Sequence, residues 1–332
     1  MRLFLNKEVP VEYSVIIPVF NESKSLCELL ERISSVFQLM NKKGQFEIIF
    51  VDDGSTDDSR QILREFSQAK SYVRSIFLRK NFGKSFALTA GFIRSTGSYI
   101  ITLDGDLQDR PEEIPKMISK INEGYDLVTG WRERRRDSFL KRWGSWWFNL
   151  VVSWCGGIRL HDSNCGFKVY KANVAKTIAV YGQQYRFIPL LAHFSGFKVA
   201  EVIIDHDSRK YGNSRYPTIR YQSFFDLLSI LFIYRFRFSP LYFFGIIGGL
   251  LVVPSTLVIL YLGGCQIFYL VGLGEHFNVL TQNRPIFAVS LTMCLIGIQI
   301  FLTGLVCEYL LYHQWDRRVV NLMESFVEEI VE

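Results

Sequence analysis

Short apolar runs alternate with longer amphipathic segments over the first part of this chain. Tyr13 to Val19, Phe46 to Val51, Val73 to Leu78, Tyr99 to Leu103 and Tyr125 to Thr129 are rich in β-branched and aromatic residues and read as strands. Between them, Lys24 to Met40, Asp57 to Gln68, Lys84 to Ser95 and Pro111 to Gly124 carry helical spacing, and Pro111 suits the first turn of its helix. Strands that alternate with helices in this way predict an α/β fold with a mostly parallel sheet covered on both faces. A second α/β portion follows from about His161 to Arg209, and no internal repeat or low-complexity segment interrupts the pattern.

After residue 230 the pattern changes. Leu241 to Leu262 carries no charge, and as a helix it spans about 33 Å, enough for a bilayer core. Ile286 to Tyr309 is similar, with Glu308 as its only charge. Arg235 and Arg237 precede the first span, and His313, Arg317 and Arg318 follow the second. The loop from Gly263 to Pro285 holds only Glu275 and Arg284 as charges. The positive-inside rule then puts both termini in the cytoplasm. The expected layout is a cytoplasmic domain over 1–215, a transmembrane hairpin within 238–312 and a cytoplasmic tail over 313–332. Met1 to Val11 is mixed and charged and does not read as a signal peptide.

The net charge of +6 is unevenly spread, with Arg132, Arg134, Arg135, Arg136, Lys141 and Arg142 forming one cluster. The Trp-rich stretch Trp143 to Trp154 follows it. Basic residues joined to such sequence suit a helix in the headgroup region over 139–155, and the aromatic, basic segment 216–237 suits a second. No nucleic-acid motif accompanies these charges. Neither span holds an internal ionisable residue of the kind that lines a transport path. The six cysteines show no metal-ligand spacing and fit a reducing compartment.

Candidate chemistry lies where strands end. The first strand runs out into Pro18-Val-Phe-Asn-Glu22, the second into Asp52-Asp-Gly-Ser-Thr-Asp57 and the fourth into Asp104-Gly-Asp-Leu-Gln108. In a parallel sheet these loops share one edge, where open α/β sheets place ligands, so Glu22, Asp53, Asp104 and Asp106 can converge there. Acids brought together repel unless a cation or hydrogen-bond donors intervene. Two carboxylates and the Gln108 amide suit a hard divalent cation, Mg2+ or Mn2+, and such an ion suits a diphosphate. Ser55 or Thr56 is expected to cap the following helix.

In order along the chain, P-V-F-N-E, V-D-D-G-S-T-D, N-F-G-K, D-G-D-L-Q-D-x-P-E, D-S-N-C-G-F-K and R-K-Y-G-N-S-R-Y resemble the motifs of glycosyltransferase family 2. Within it they most resemble the polyprenyl-phosphate glycosyltransferases, the group of dolichol-phosphate mannose synthases and bacterial undecaprenyl-phosphate sugar transferases. The resemblance covers about residues 13–318. It implies a Rossmann-like GT-A catalytic domain with interfacial helices and two C-terminal transmembrane helices. The implied activity moves a hexose from a nucleotide-sugar to a polyprenyl phosphate, with UDP and glucose as the expected carrier and sugar. By this likeness Pro18, Phe20, Glu22 and Asp53 line the nucleoside pocket, and Lys84 sits near the base or diphosphate. Asp104 meets the ribose or the metal, and Asp106 and Gln108 bind the metal. Asp162 faces the donor sugar and acceptor phosphate, or pairs with an arginine, while Arg132, Arg209 and Arg215 grip phosphates. The implied location is the bacterial inner membrane, with a homo-oligomer allowed.

Chemistry agrees with that assignment. A phosphate monoester is already anionic at neutral pH, so it needs cations more than it needs a general base. Attack opposite the leaving group inverts the anomeric centre. Two positions depart from the family pattern: Arg215 stands where a lysine is usual, and Gln183-Gln-Tyr-Arg186-Phe187 echoes a motif of processive polysaccharide synthases with Phe for Trp. Arg186 reads either as substrate-facing or as a helix-surface charge. The competing functions are a synthase that extends a polysaccharide and a catalytically silent membrane scaffold.

Overall fold

The computed structural model describes residues 10–133, 157–158, 160–178, 182, 184–207, 210, 232, 236, 239–272 and 283–326, with side chains described as far as 310. The chain divides into two compact units, Met1–Leu231 and Phe232–Glu332. The expected interfacial helices at 139–155 and 216–237 lie outside the described residues, apart from Phe232 and Phe236.

In the first unit the described strands are β1 Tyr13–Val19, β2 Phe46–Asp52, β3 Val73–Phe77, β4 Tyr99–Thr102, β5 Leu127–Trp131, β6 Lys168–Lys171 and β7 Val199–Ile203. They form one sheet in the order β3-β2-β1-β4-β6-β5-β7. β1 runs parallel to β2 and β4, β2 to β3, and β5 to β7, whereas β6 opposes both of its neighbours. The described helices of this unit are α1 Leu26–Leu39, α2 Ser59–Ala69, α3 Lys84–Arg94, α4 Ile114–Ile121, α5 Ala172–Thr177 and α6 Ile188–Phe194. The fold is the expected mostly parallel α/β sheet.

Alternation along β1 explains why helices cover both faces. Tyr13, Val15, Ile17 and Val19 share a core with Leu26, Leu29, Ile33 and Phe37 of α1. Ile16 points the other way, toward α3. A Cβ added at Gly91 of α3 would lie 2.4 Å from Ile16 Cγ2, so the glycine sets how closely this helix approaches the sheet.

Three local expectations need correction. The segment expected as one helix from Pro111 starts as a 3-10 turn, Pro111–Glu113, and becomes α-helical at Ile114. Pro115 has no N–H to continue an α ladder back to Pro111. The fifth strand sits later than expected because its register with β7 pairs Leu127 with Val199 and Trp131 with Ile203. Neither Ser55 nor Thr56 caps α2. The Ser55 hydroxyl accepts from Asn21 N–H at 2.9 Å, and Asp57 Oδ1 accepts from Ser59 N–H at 3.1 Å.

The second unit holds α7 Pro240–Leu270 and α8 Arg284–Phe326. Both contain stretches long and apolar enough to cross a membrane. Both extend past the apolar cores read from sequence, α7 by the uncharged residues Gly263 to Leu270. Leu250 is 70% exposed and Leu295 59%, which a water-facing surface does not favour but lipid does. The helices approach through small residues: a Cβ at Gly248 would lie 2.7 Å from the Gly297 carbonyl oxygen, and one at Gly304 2.7 Å from Phe244 Cβ. The carboxylate of Glu308 accepts from Leu241 N–H at 3.3 Å, so the only charge of the second span meets the amino end of the first.

Gly91→Ala is expected to lower the thermal midpoint of the full chain in detergent by several degrees, an overpacking cost of ~1–3 kcal/mol. Circular dichroism against temperature measures it, and an unchanged midpoint would mean that α3 shifts freely on β1.

Candidate active site

The loops leaving β1 and β2 are laced together by short polar side chains. Asp53 N–H donates to the Val19 carbonyl at 2.8 Å. Asn21, at φ 53°, donates its N–H to Ser55 Oγ and accepts from Thr56 N–H at 2.7 Å through Oδ1. Glu22 N–H donates to Ser59 Oγ at 3.0 Å. The Ser25 hydroxyl lies 2.6 Å from the Gly105 carbonyl and 2.9 Å from that of Glu22, bringing the loop after β4 against the loop after β1. Gly54, at φ 76°, allows the chain to pass the Lys80–Asn81 backbone, which an added Cβ would approach to 2.5 Å.

Asp53 braces the start of α3. Its two oxygens accept from Phe82 N–H at 2.7 Å and Gly83 N–H at 2.9 Å. Burial, helped by neighbouring Asp52, raises its carboxyl above the usual range even though those two amides pull it down. The brace fixes the N-F-G-K loop, and Lys84 opens α3 directly after it.

Lys84 delivers its ammonium to Asp104 Oδ1. Asp104 keeps 35% of its side-chain surface open. Burial on its other sides works to raise the carboxyl, but Lys84, then Arg132 and Lys168, outweigh it and hold the group below the ordinary value. Strand pairing places Lys168, at the start of β6, opposite Thr102. It is 2% exposed and gives its ammonium to the Cys165 carbonyl. Burial pulls its pKa down to about 8, and Lys84 pushes the same way. Gly166 forms the wall behind Asp104: an added Cβ would stand 2.6 Å from Asp104 Oδ2. Thr102 Oγ1 donates to the Gly166 carbonyl at 2.8 Å and pins that wall to β4.

Beyond Asp104 the loop turns tightly. Leu107 is buried at φ 61°, a conformation that costs a branched side chain of order 1–3 kcal/mol. That turn lets Asp106 Oδ1 accept from Gln108 N–H at 3.2 Å. Gln108 is tethered in turn, its carbonyl accepting from Asp207 N–H at 2.9 Å.

Arg132 and Asp162 form a two-pronged pair, with Nε to Oδ2 at 2.7 Å and Nη2 to Oδ1 at 3.1 Å. Their side chains are 13% and 6% exposed. Burial would disfavour the guanidinium charge, but Cys165 and Asp162 hold its pKa above the ordinary value. Burial pushes the Cys165 thiol up to about 12, so it is a packed thiol and no nucleophile. Glu201 accepts from the His161 and Asp162 backbone N–H groups, and the His161 ring stacks on Trp131 at 4.1 Å.

The structure thus brings Glu22, Asp53, Asp104, Asp106 and Gln108 to linked loops at one sheet edge, with Pro18 near the end of β1, half-buried Phe20 just after it and Lys84 at the start of α3. Asp162 is paired with Arg132. Arg186 is 6% exposed and hydrogen-bonded to Tyr185 Oη at 3.0 Å, so it is not a helix-surface charge. Arg209 and Arg215 lie outside the described residues. Sequence reasoning missed Lys168, Gly166 and Tyr185, although the first two stand in the D-S-N-C-G-F-K motif. Among the described residues no group of three His, Cys, Asp or Glu side chains is gathered to hold a metal. Asp104, Asp106 and Gln108 still fit one. Mg2+ keeps to hard oxygen donors and is commonly held by one or two carboxylates together with substrate phosphates.

Gly166→Ala is expected to displace Asp104 and, if the loop takes a nucleotide with Mn2+, to weaken that binding about tenfold or more, with a smaller effect on the thermal midpoint. Titration of a fluorescent nucleotide reads this. Arg132→Met leaves the Asp162 carboxylate buried without its cation and is expected to destabilise the fold by about 3–5 kcal/mol. Chemical denaturation measures that loss, and a change below about 1 kcal/mol would assign Arg132 to ligand contact alone.

A family profile, Glycosyl transferase family 2, matches residues 14–188. A dodecaprenyl-phosphate galacturonate synthase of Rhizobium johnstonii is 33% identical over 90% of this chain and 87% of its own. An undecaprenyl-phosphate 4-deoxy-4-formamido-L-arabinose transferase of Pseudomonas paraeruginosa is 32% identical over 92% and 86%. The crystal structure of S. aureus TarS 1-349 in complex with UDP-GlcNAc superposes with a TM-score of 0.50 at 18% identity, over 68% of this chain and 67% of that one, and shares the fold. The chain belongs to glycosyltransferase family 2, and its curated relatives are polyprenyl-phosphate glycosyltransferases.

Proposed function

We propose that this protein transfers a sugar from a nucleotide-sugar, with UDP as carrier, to a polyprenyl phosphate, with inversion at the anomeric carbon. The observation that carries the reading is the Asp104–Gln108 loop at the carboxyl end of β4, facing Lys84, in a chain whose relatives are named for such transfers. Both names specify modified sugars, galacturonate and 4-deoxy-4-formamido-L-arabinose, so we place a sugar of that class ahead of glucose. The catalytic unit faces the cytoplasm, and α7 and α8 form the membrane hairpin.

Each residue has a defined task in this reading. Pro18, Phe20 and Glu22 line the nucleoside pocket, and Asp53 shapes it by holding the Phe82–Gly83 backbone. Asp104, Asp106 and Gln108 would hold a Mg2+ or Mn2+ ion, which would supply the positive charge that a departing diphosphate needs. The acceptor phosphate attacks as an anion without a general base. Arg209 and Arg215 draw it toward the like-charged donor. Arg132 orients Asp162 toward the donor sugar, which fixes the sugar rather than removing a proton.

Purified full chain, incubated with Mn2+, undecaprenyl phosphate and radiolabelled UDP-sugars including the galacturonate, formamido-arabinose and glucose forms, is expected to yield one lipid-extractable, single-sugar product. Asp106→Ala is expected to cut its formation about a thousandfold. A polymeric aqueous product would favour a polysaccharide synthase, and no product from any nucleotide-sugar would contradict lipid transfer.

A further inference from the structure

Two lysines act on the Asp104 carboxylate, Lys84 by direct contact and Lys168 only through its charge, and they are built differently. Lys168 is 2% exposed, rooted in a central strand, and its ammonium is capped by the Cys165 carbonyl. It is a fixed counter-charge. Lys84 is 17% exposed, and its four-carbon stem leaves the first residue of α3. Its ammonium bonds Asp104 Oδ1, and that carboxylate keeps about a third of its side-chain surface open. In the same position the Lys84 ammonium also stands 5.1 Å from the centroid of the Tyr185 ring, within cation–π range, so the ring supports it independently of Asp104. Tyr185 is held at that place by its N–H bond to Ser85 Oγ at 3.1 Å.

We infer that Lys84 is a stand-in for the cation: it occupies Asp104 before the metal and nucleotide arrive and is displaced from it when they bind. This rests on reading Asp104, Asp106 and Gln108 as the cation site. A divalent ion cannot share Asp104 with an ammonium at hydrogen-bond distance without strong like-charge repulsion. The ammonium gives up Asp104 but keeps its contact with the Tyr185 ring, and the incoming diphosphate is its new partner. Lys168 stays, so Asp104 is never left without a counter-charge. The exchange makes metal binding weak without nucleotide and couples the two ligands reciprocally. Lys84 is therefore a positioning residue whose removal has opposite effects on the two ligands.

Mn2+ alone, titrated into the detergent-solubilised full chain and followed by the electron paramagnetic resonance of free Mn2+, tests this. Lys84→Met is expected to bind Mn2+ about tenfold more tightly than the parent without nucleotide, and Lys84→Gln the same, because the competitor is gone. Lys84→Arg, which keeps the charge, stays near the parent. Adding UDP tightens Mn2+ binding in the parent more than in Lys84→Met. Asp106→Asn separates the two readings. If Asp106→Asn loses Mn2+ binding while Lys84→Met and Lys84→Gln bind no more tightly than the parent, the exchange is overturned and the cation site stands. If Asp106→Asn binds as the parent does, the cation-site reading fails and the exchange falls with it.

Discussion

A single carboxylate, Asp104, determines much of how this catalytic unit is arranged. It sits just past the end of β4, half open to the loops that line the sheet edge, and the fields of Lys84, Lys168 and Arg132 keep it ionised against burial. Each of those cations comes from a different element. Lys84 depends on the Asp53 brace at the start of α3, Lys168 on the antiparallel register of β6, and Arg132 on the end of β5 and its pair with Asp162. The sheet is thus a frame that delivers distant charges to one point. Gly166 gives the frame its tolerance, because any side chain there would occupy the space of the carboxylate.

The same logic accounts for the buried charges near the site. Arg132 and Asp162 are nearly enclosed, and such a pair adds little net stability, but removing one partner strands the other. The result is a wall of buried, paired charge behind Asp104. Lys84, whose ammonium reaches Asp104 from the first residue of α3, is the group we infer to be displaced. If Lys84 yields only to metal and nucleotide together, such a site distinguishes having from lacking its diphosphate-bearing ligand.

Local patterns carried much of this in the sequence. β1 and β2 are apolar runs, and the D-G-D-L-Q loop follows another, so its place at a strand end was legible. So were the apolar cores of α7 and α8. What remained hidden depends on non-local pairing. Nothing around Lys168 reveals that β6 runs antiparallel and sets it opposite Thr102. Arg132 and Asp162 lie thirty residues apart, and their partnership is set by the ends of β5 and the β6 approach. Asp53 read as a ligand-facing acid, yet both its oxygens serve backbone amides, a use that has no side-chain signature. The cap of α2 was misassigned because Ser55 is drawn away by Asn21, a contact between two loops.

The most direct measurement is the anomalous scattering of manganese in crystals of the full chain grown with Mn2+ and UDP. The account predicts a peak bonded to Asp104 and Asp106, with the diphosphate completing its shell and the Lys84 ammonium withdrawn from Asp104. A peak elsewhere, or a metal bound at the loop with Lys84 still seated on Asp104, would contradict it.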